Sequence, residues 1–419
     1  MIDILEEIWS TVKRNKLRTA LTGFSVAWGI FMIIFLLGAG NGLINAIEQN
    51  SNRFLDNSMV IGGGTTSKAY EGYREGRKIE LEDKDVKATE DKGGSHIDEM
   101  GSELKQDNVT VSLGENYVSG SLTGIYPNYQ NINKVEILYG RFINQEDLEN
   151  TRKTLVISEN DAKELLPKTY TTLIGKYVKV GEFAFRIVGI SKNDESEMNS
   201  EFFTAFTSLR MMYGKGRDAG NIVFSFHGLN TQQENENFEK SLTAKINKNH
   251  HAAPDDESSV WVWNRFTQAM QMNTGMSIIH LALWIVGLFT LLSGVVGVSN
   301  IMLITVKERT REFGIRKAIG AKPSSILWLI IVESIIITTI FGYVGMIAGI
   351  GANQYMDATL GGMNADFGIG QAKMFVNPTV GLDVCIEATL VMIIAGTLAG
   401  LLPARKAAKI RPIEALRAE

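Results

Sequence analysis

One cysteine, Cys385, occurs in 419 residues, so no internal disulfide framework holds this chain together. A Gly-x-x-x-x-Gly-Lys-Ser/Thr loop is also missing. Gly62-Gly63-Gly64 followed by Lys68 has the wrong spacing and lacks the strand-to-helix setting that cradles a phosphate. The chain is therefore expected not to be an enzyme and to bind no cofactor of its own. His250-His251 has no third ligand at a metal-binding spacing, which leaves it as a solvated pair. No Ser/His/Asp or Cys/His arrangement stands out, and Cys385 reads as a small buried apolar residue. Basic charge is not in excess either. A formal net charge of −4 and a pI of 5.9 exclude nucleic acid as the main partner. A cleavable leader is not recognisable: the first apolar run is too long for one and reads as a retained anchor.

What is present is segregated. The near-zero mean hydropathy averages a polar middle, residues 48–275, with ends that hold long uncharged apolar runs. Leu21 to Ile47, Ile278 to Val306, Ile326 to Ile350 and about Val384 to Leu402 each reach or approach the roughly 20 residues a spanning helix needs. Basic residues collect before the first run, between the second and third, and after the fourth, which puts those three segments on the cytoplasmic side. The expected fold is a membrane protein: four transmembrane α-helices with a large α+β extracytoplasmic domain inserted between helices 1 and 2. The boundaries expected are 21–47, 276–306, 326–351 and 384–402 for the spans and 48–275 for the domain. A coupling loop follows at 307–325, a short outer loop at 352–383 and a cytoplasmic tail at 403–419. Residues 1–20 place Leu5, Ile8, Trp9 and Val12 at helical spacing beside Lys13, Arg14, Lys16 and Arg18, as in an interfacial amphipathic helix. The second run exceeds the roughly 30 Å hydrocarbon core, so one end should stand clear of it.

Within the domain, Val178–Val180, a tight turn and Phe185–Ile190 alternate as two strands. Asn221 to His227 is a further strand, and Leu81 to Val86 passes from a strand end into an acid-capped helix. Gln233 to Ile246 is expected to be a helix, because Phe238, Leu242 and Ile246 fall four apart. Gly62 to Ser67 and the charged stretch to Lys78 read as a mobile loop. In the spans, Gly287, Gly294, Gly297, Gly345, Gly349, Gly396 and Gly400 permit close helix approach, inside the chain or in a dimer. Glu333 and Glu387 are the costly residues there. Charges at such depth usually mark a pathway or a partner, but both lie within about three turns of a span end, where water or a neighbouring helix satisfies them.

The segment Lys307 to Lys322 is the most particular. Six basic residues, Lys307, Arg309, Arg311, Arg316, Lys317 and Lys322, are interleaved with Glu308 and Glu312. A plain topology anchor needs Lys and Arg but not the Glu, Phe and Gly between them. Thr310, Phe313 and Ile315 are read as non-ionic docking contacts, Glu308 and Glu312 as pairing with a partner's cations, and Gly314 and Gly320 as bends.

Lys307-Glu-Arg-Thr-Arg-Glu-Phe-Gly-Ile-Arg-Lys-Ala-Ile-Gly-Ala321 closely resembles the cytoplasmic loop of MacB-type ABC transporter permeases, a group that includes FtsX and the Lol lipoprotein-release permeases. Leu402 to Arg417 is similar to the same family's C-terminal pattern, and Leu138–Ile143, Leu155–Ser158, Ile174–Val180 and Phe185–Ile190 look like its periplasmic core. Phe313 stands where the family more often has Ile. The resemblance implies an inner-membrane permease subunit with both termini cytoplasmic, paired with a second permease subunit. It also implies a separate ABC ATPase subunit that carries the ATP and Mg, together with a periplasmic adaptor and an outer-membrane duct. Glu308, Arg309, Arg311, Glu312, Phe313, Gly314, Ile315, Arg316, Lys317 and Gly320 would form the ATPase-coupling interface. Pro403, Ala404, Arg405, Pro412, Ala415, Leu416 and Arg417 would form the C-terminal motif. The domain would hold two porter halves, about 48–112 and 196–275, and a Sabre-like insertion at about 113–195. ATP-driven movement would pass along the long helices to the domain and drive efflux or export. Lipoprotein release, or FtsX-like signalling to a cell-wall hydrolase, are the alternatives.

Overall fold

A computed structural model describes residues 16–51, 54–193, 199–361, 364–366, 371–373 and 375–410. The amphipathic stretch before Lys16 and the residues Pro412, Ala415, Leu416 and Arg417 lie outside the described residues. The chain forms two compact units. One comprises 1–47, 275–364 and 373–419; the other comprises 48–274 and 365–372.

The second unit is α+β. Following α1 (Lys16–Ser51), its elements are β1 (Ser58–Gly63), α2 (Asp83–Gly93), β2 (Ile97–Leu113), β3 (Asn116–Ile125), β4 (Ile137–Gly140) and β5 (Thr154–Ser158). Then come α3 (Glu159–Leu165), β6 (Tyr177–Val180), β7 (Phe183–Ser191), β8 (Ser200–Ala205), α4 (Phe206–Met212), β9 (Asn221–Phe226), α5 (Gln232–Asn249) and β10 (Val260–Asn264). One sheet runs β10-β1-β9-β2-β3-β8-β5-β7-β4, with β6 between β2 and β7. The β6 burial alternates, Val178 and Val180 inward and Tyr177 and Lys179 outward. Its turn into β7 places Gly181 at φ +57°. Helix α5 begins with a capping box: the Thr231 hydroxyl accepts the Glu234 N–H, while the Glu234 carboxylate accepts the Thr231 N–H at 3.0 Å. Its stripe Phe238, Leu242 and Ile246 packs with Met59, Ile61, Phe224 and Val260 in one core. A second core gathers Leu104, Val111, Leu122, Ile157, Phe185, Phe202 and Leu209, so it draws on residues outside 113–195 at both ends.

Two expectations fail in this unit. Gly62 and Gly63 lie in β1, where they admit the Trp261 ring and the Ile79 carbonyl at distances a Cβ would block. The segment that follows is stapled. Buried Asp256 accepts the Ser67 N–H at 2.8 Å, and Arg77 donates to the His250 carbonyl at 2.6 Å. Glycine there marks close approach rather than looseness. Nor is His250 solvated: its Nε2 lies 2.6 Å from the buried Asp85 carboxylate, which also accepts from Asn249 at 2.9 Å. That carboxylate accepts the Glu82 N–H at the start of α2 as well, so it ties α2 to the end of α5. Among the described residues no cluster of side chains suits a metal ion.

The first unit contains α1, α6 (Arg265–Glu308, from Gly275 onward), α7 (Thr310–Ala318), α8 (Pro323–Leu360) and α9 (Leu382–Ala408). Four of these are long and apolar enough to cross a membrane. The 44 residues of α6 extend about 66 Å at about 1.5 Å per residue, roughly twice the hydrocarbon thickness. The small residues are used inside the chain. A Cβ on Gly345 would stand 2.1 Å from the Ala27 carbonyl of α1, and one on Gly400 would stand 2.8 Å from Ser334 of α8. Gly287 and Gly294 of α6 likewise face Ile33 and Ser25 of α1. Such contact lets backbones pack where the surroundings offer no hydrophobic driving force.

Candidate functional site

The loop between the second and third long helices folds as α7, closed at its end by a Schellman turn. The Ala321 N–H reaches the Arg316 carbonyl, and the Gly320 N–H reaches the Lys317 carbonyl, both at 3.0 Å. Gly320 sits at φ +102°, and Pro323 opens α8 at its first turn. These two residues set a sharp exit that the charges alone do not define.

The helix has two faces. Phe313 is 1% exposed and shares a buried cluster with Val306, Ile326, Ile330, Ala404 and Ala407. Gly314 is buried beside it. Arg309 turns inward over the Phe313 ring, with its guanidinium 5.3 Å from the ring centroid. It donates to Glu312 at 2.9 Å and lies 3.4 Å from buried Glu333 of α8. Glu312 also holds Arg316 at 2.7 Å. Thr310 donates to the Val306 carbonyl at 3.1 Å. Lys317 donates to the Ala408 and Ile410 carbonyls at 2.5 and 2.9 Å, placing a cation on the negative end of α9.

The expectations for individual residues divide accordingly. Phe313 is a core residue rather than an outward contact, because a buried benzyl group stabilises the loop against α8 and α9. Glu312 is engaged by two arginines of its own loop, and Thr310 by its own helix. Glu333 has a partner, Arg309, which explains a carboxylate at that depth; Glu387 is exposed on α9. The structure brings the two basic motifs into one site: Lys317 meets the end of α9, whose Ala404 is buried, Pro403 buried inside the helix and Arg405 exposed.

What α7 presents outward is Arg311, Ile315, Ala318 and Ile319, at spacings of four, three and one. Ile315 is 42% exposed and Ile319 82%. Lys307, Glu308 and Gly320 are exposed alongside. Ile319 escaped the reading of the sequence, although its spacing from Arg311 and Ile315 on one helix face was the available signal.

Sequence comparison matches two family profiles: the MacB-like periplasmic core domain at residues 19–245, and the FtsX-like permease C-terminal domain at residues 284–412. The macrolide export ATP-binding/permease protein MacB of Bdellovibrio bacteriovorus is 26% identical over 436 residues, covering 100% of this chain and 62% of that protein. This chain thus spans about three fifths of the MacB relatives' length. The ABC transporter permease YknZ of Bacillus subtilis is 26% identical over 422 residues, covering 98% of this chain and 97% of YknZ. Among solved structures, the periplasmic region of MacB from Actinobacillus actinomycetemcomitans has 18% identity and a TM-score of 0.42, covering 54% of this chain and 97% of that one. The extracellular domain of YknZ has 19% identity and a TM-score of 0.41, covering 50% and 100%. The chain belongs to the MacB/FtsX-type ABC transporter permeases.

Proposed function

We propose that this chain is the permease subunit that couples ATP hydrolysis on a separate ATPase chain to movement of its α+β domain, driving efflux or export. Both termini and α7 lie in the cytoplasm, the α+β domain lies outside an inner membrane, and ATP and Mg belong to the partner. The observation that carries the reading is the two-faced α7. Its inner face, Arg309, Phe313 and Lys317, is pinned to α8 and α9, while its outer stripe, Arg311, Ile315 and Ile319, is left for another surface. A helix held this firmly on one side passes a push on its other side to the helices behind it. Helix α6, unbroken from Arg265 to Glu308, supplies the rod. In the domain we assign the core around α5, β1 and β9 to the porter part and the core around β5, β7 and β8 to the Sabre-like part. A second permease subunit, a periplasmic adaptor and an outer-membrane duct complete the assembly.

The test is affinity purification of the tagged full chain in mild detergent, with identification of the proteins that come with it. An ABC ATPase is expected with the unaltered chain and is expected to be lost with Ile315→Glu. Recovering no ATPase from either chain, or equal amounts from both, would overturn the coupling role.

A further inference from the structure

Strand β10 ends the large sheet. It pairs with β1 on one side, and among the described residues no strand pairs with its other side. An edge of this kind presents a row of unused N–H and C=O groups. Proteins usually blunt such edges with a lysine, a proline or a bulge. The segment Val260-Trp-Val-Trp-Asn264 has no charge and no proline, and its five pairs with β1 run without a register shift. It is an edge in good condition to accept another strand.

Its two faces differ. Trp261 and Trp263 are both partly exposed on one face. Trp261 covers Gly62, and Trp263 is held edge-on by Phe54 at 5.2 Å with the Arg265 guanidinium 4.7 Å from its ring centroid. Val260 and Val262 turn to the other face, toward α5. There, between helix and strand edge, runs a groove of about 550 Å³ lined by Glu236, Glu239, Thr243, Glu257, Val260 and Val262. Residues 236, 239 and 243 form one stripe of α5 that looks across to the strand. Four carboxylates border the groove against one lysine, Lys240, and one of the four, Asp255, is already paired with Lys68 at 2.7 Å. Glu239 is half-buried and accepts from Asn264 at 2.5 Å, while burial raises its pKa. A carboxylate part-way out of water gains from the arrival of a cation.

We propose that the groove between α5 and the edge of β10 binds an extended basic segment of a partner protein, which adds to the sheet as a further strand. Backbone pairing along β10 would supply affinity, and the groove would read alternate side chains. Five residues of strand extend about 17 Å, so a segment of about that length suffices. Side chains on one face enter the groove over Val260 and Val262 toward Glu236, Glu239 and Glu257, and there Lys or Arg is selected. Those on the other face lie beside the tryptophan rings, where apolar groups fit. The segment recognised therefore alternates basic and apolar residues. This surface belongs to the α+β unit, and its assignment is independent of ATP coupling.

The test uses the full chain in phosphatidylcholine nanodiscs and a fluorescein-labelled probe peptide, acetyl-Val-Lys-Val-Lys-Val-Lys-amide. Saturable binding by anisotropy is expected, with hydrogen-exchange protection of the amides of residues 260–264. The double variant Glu236→Gln/Glu239→Gln, which keeps hydrogen-bonding side chains, should bind at least tenfold more weakly. A probe N-methylated at every residue keeps every charge but has no N–H left to pair on either edge, and should also lose at least tenfold. Absence of saturable binding would overturn the proposal. So would equal binding of the methylated probe, an unchanged affinity for the double variant, or binding with no protection at 260–264.

Discussion

Phe313 and Ile315 lie two residues apart in the same basic helix, and the structure gives them opposite duties. Phe313 is 1% exposed, within a cluster drawn from five helices, so truncation removes the aromatic ring and leaves a cavity. Phe→Ala changes at such sites cost about 3–5 kcal/mol. At about 1.4 kcal/mol per tenfold, that lowers the folded-to-unfolded ratio by roughly two to three and a half orders of magnitude. The stacking of Arg309 on the ring is lost as well. Ile315→Ala removes atoms that solvent already reaches, and should stay within about 0.5 kcal/mol. Thermal unfolding of both variants in one detergent, followed by tryptophan fluorescence and light scattering, separates them. Phe313→Ala should unfold several degrees earlier, while Ile315→Ala should follow the unaltered chain. The reasoning is refuted if Phe313→Ala unfolds with the unaltered chain yet no longer retains the ATPase, for that would make Phe313 a docking contact after all.

Glu103 on β2 has its pKa raised, first by burial and then by the neighbouring Glu201 carboxylate, against the Asn221 side chain that donates to it at 2.8 Å. A raised folded-state pKa makes its contribution complete below the ordinary glutamate range and lost as pH rises through the folded value. Glu103→Gln, which can still accept from Asn221, should therefore stabilise the domain at neutral pH and give no gain in acid. Urea titrations at both pH values check this, and an equal effect at both would contradict it. Gly345→Ala places a methyl group 2.1 Å from the Ala27 carbonyl, a backbone atom that cannot step aside, and should cost about 1–3 kcal/mol. Gly351→Ala on the same helix meets nothing within 4 Å and should be neutral or mildly stabilising by thermal unfolding.

Much of the architecture was legible because its signals are local. Apolar runs of about twenty residues, with at most one charge, define spanning helices whatever their neighbours. The alternation in β6 and β7, the acid-capped start at Leu81 to Val86 and the four-residue spacing of Phe238, Leu242 and Ile246 depend only on residues a few places apart. The glycine-rich stretch after Ile61 misled because Gly62 is needed by Trp261, two hundred residues away and adjacent only through strand pairing. His250 misled for the same reason, since its partner Asp85 is distant along the chain.

The basic loop shows the division most plainly. By composition and order, the sequence alone determined that residues 307–322 form a charged segment between two membrane helices, with Gly320 as a bend near its end. Which face of that helix is free was decided only by tertiary structure. Phe313 and Ile315 are both apolar, and Arg309 and Arg311 both cationic, so residue type cannot sort them. The sorting comes from Glu333 on α8, the small Ala404 and Ala407 on α9, and the Ala408 and Ile410 carbonyls that hold Lys317. Each of these groups becomes a neighbour only when the helices pack, because a buried charge needs a counter-charge and a buried ring needs a cavity that no single segment can supply.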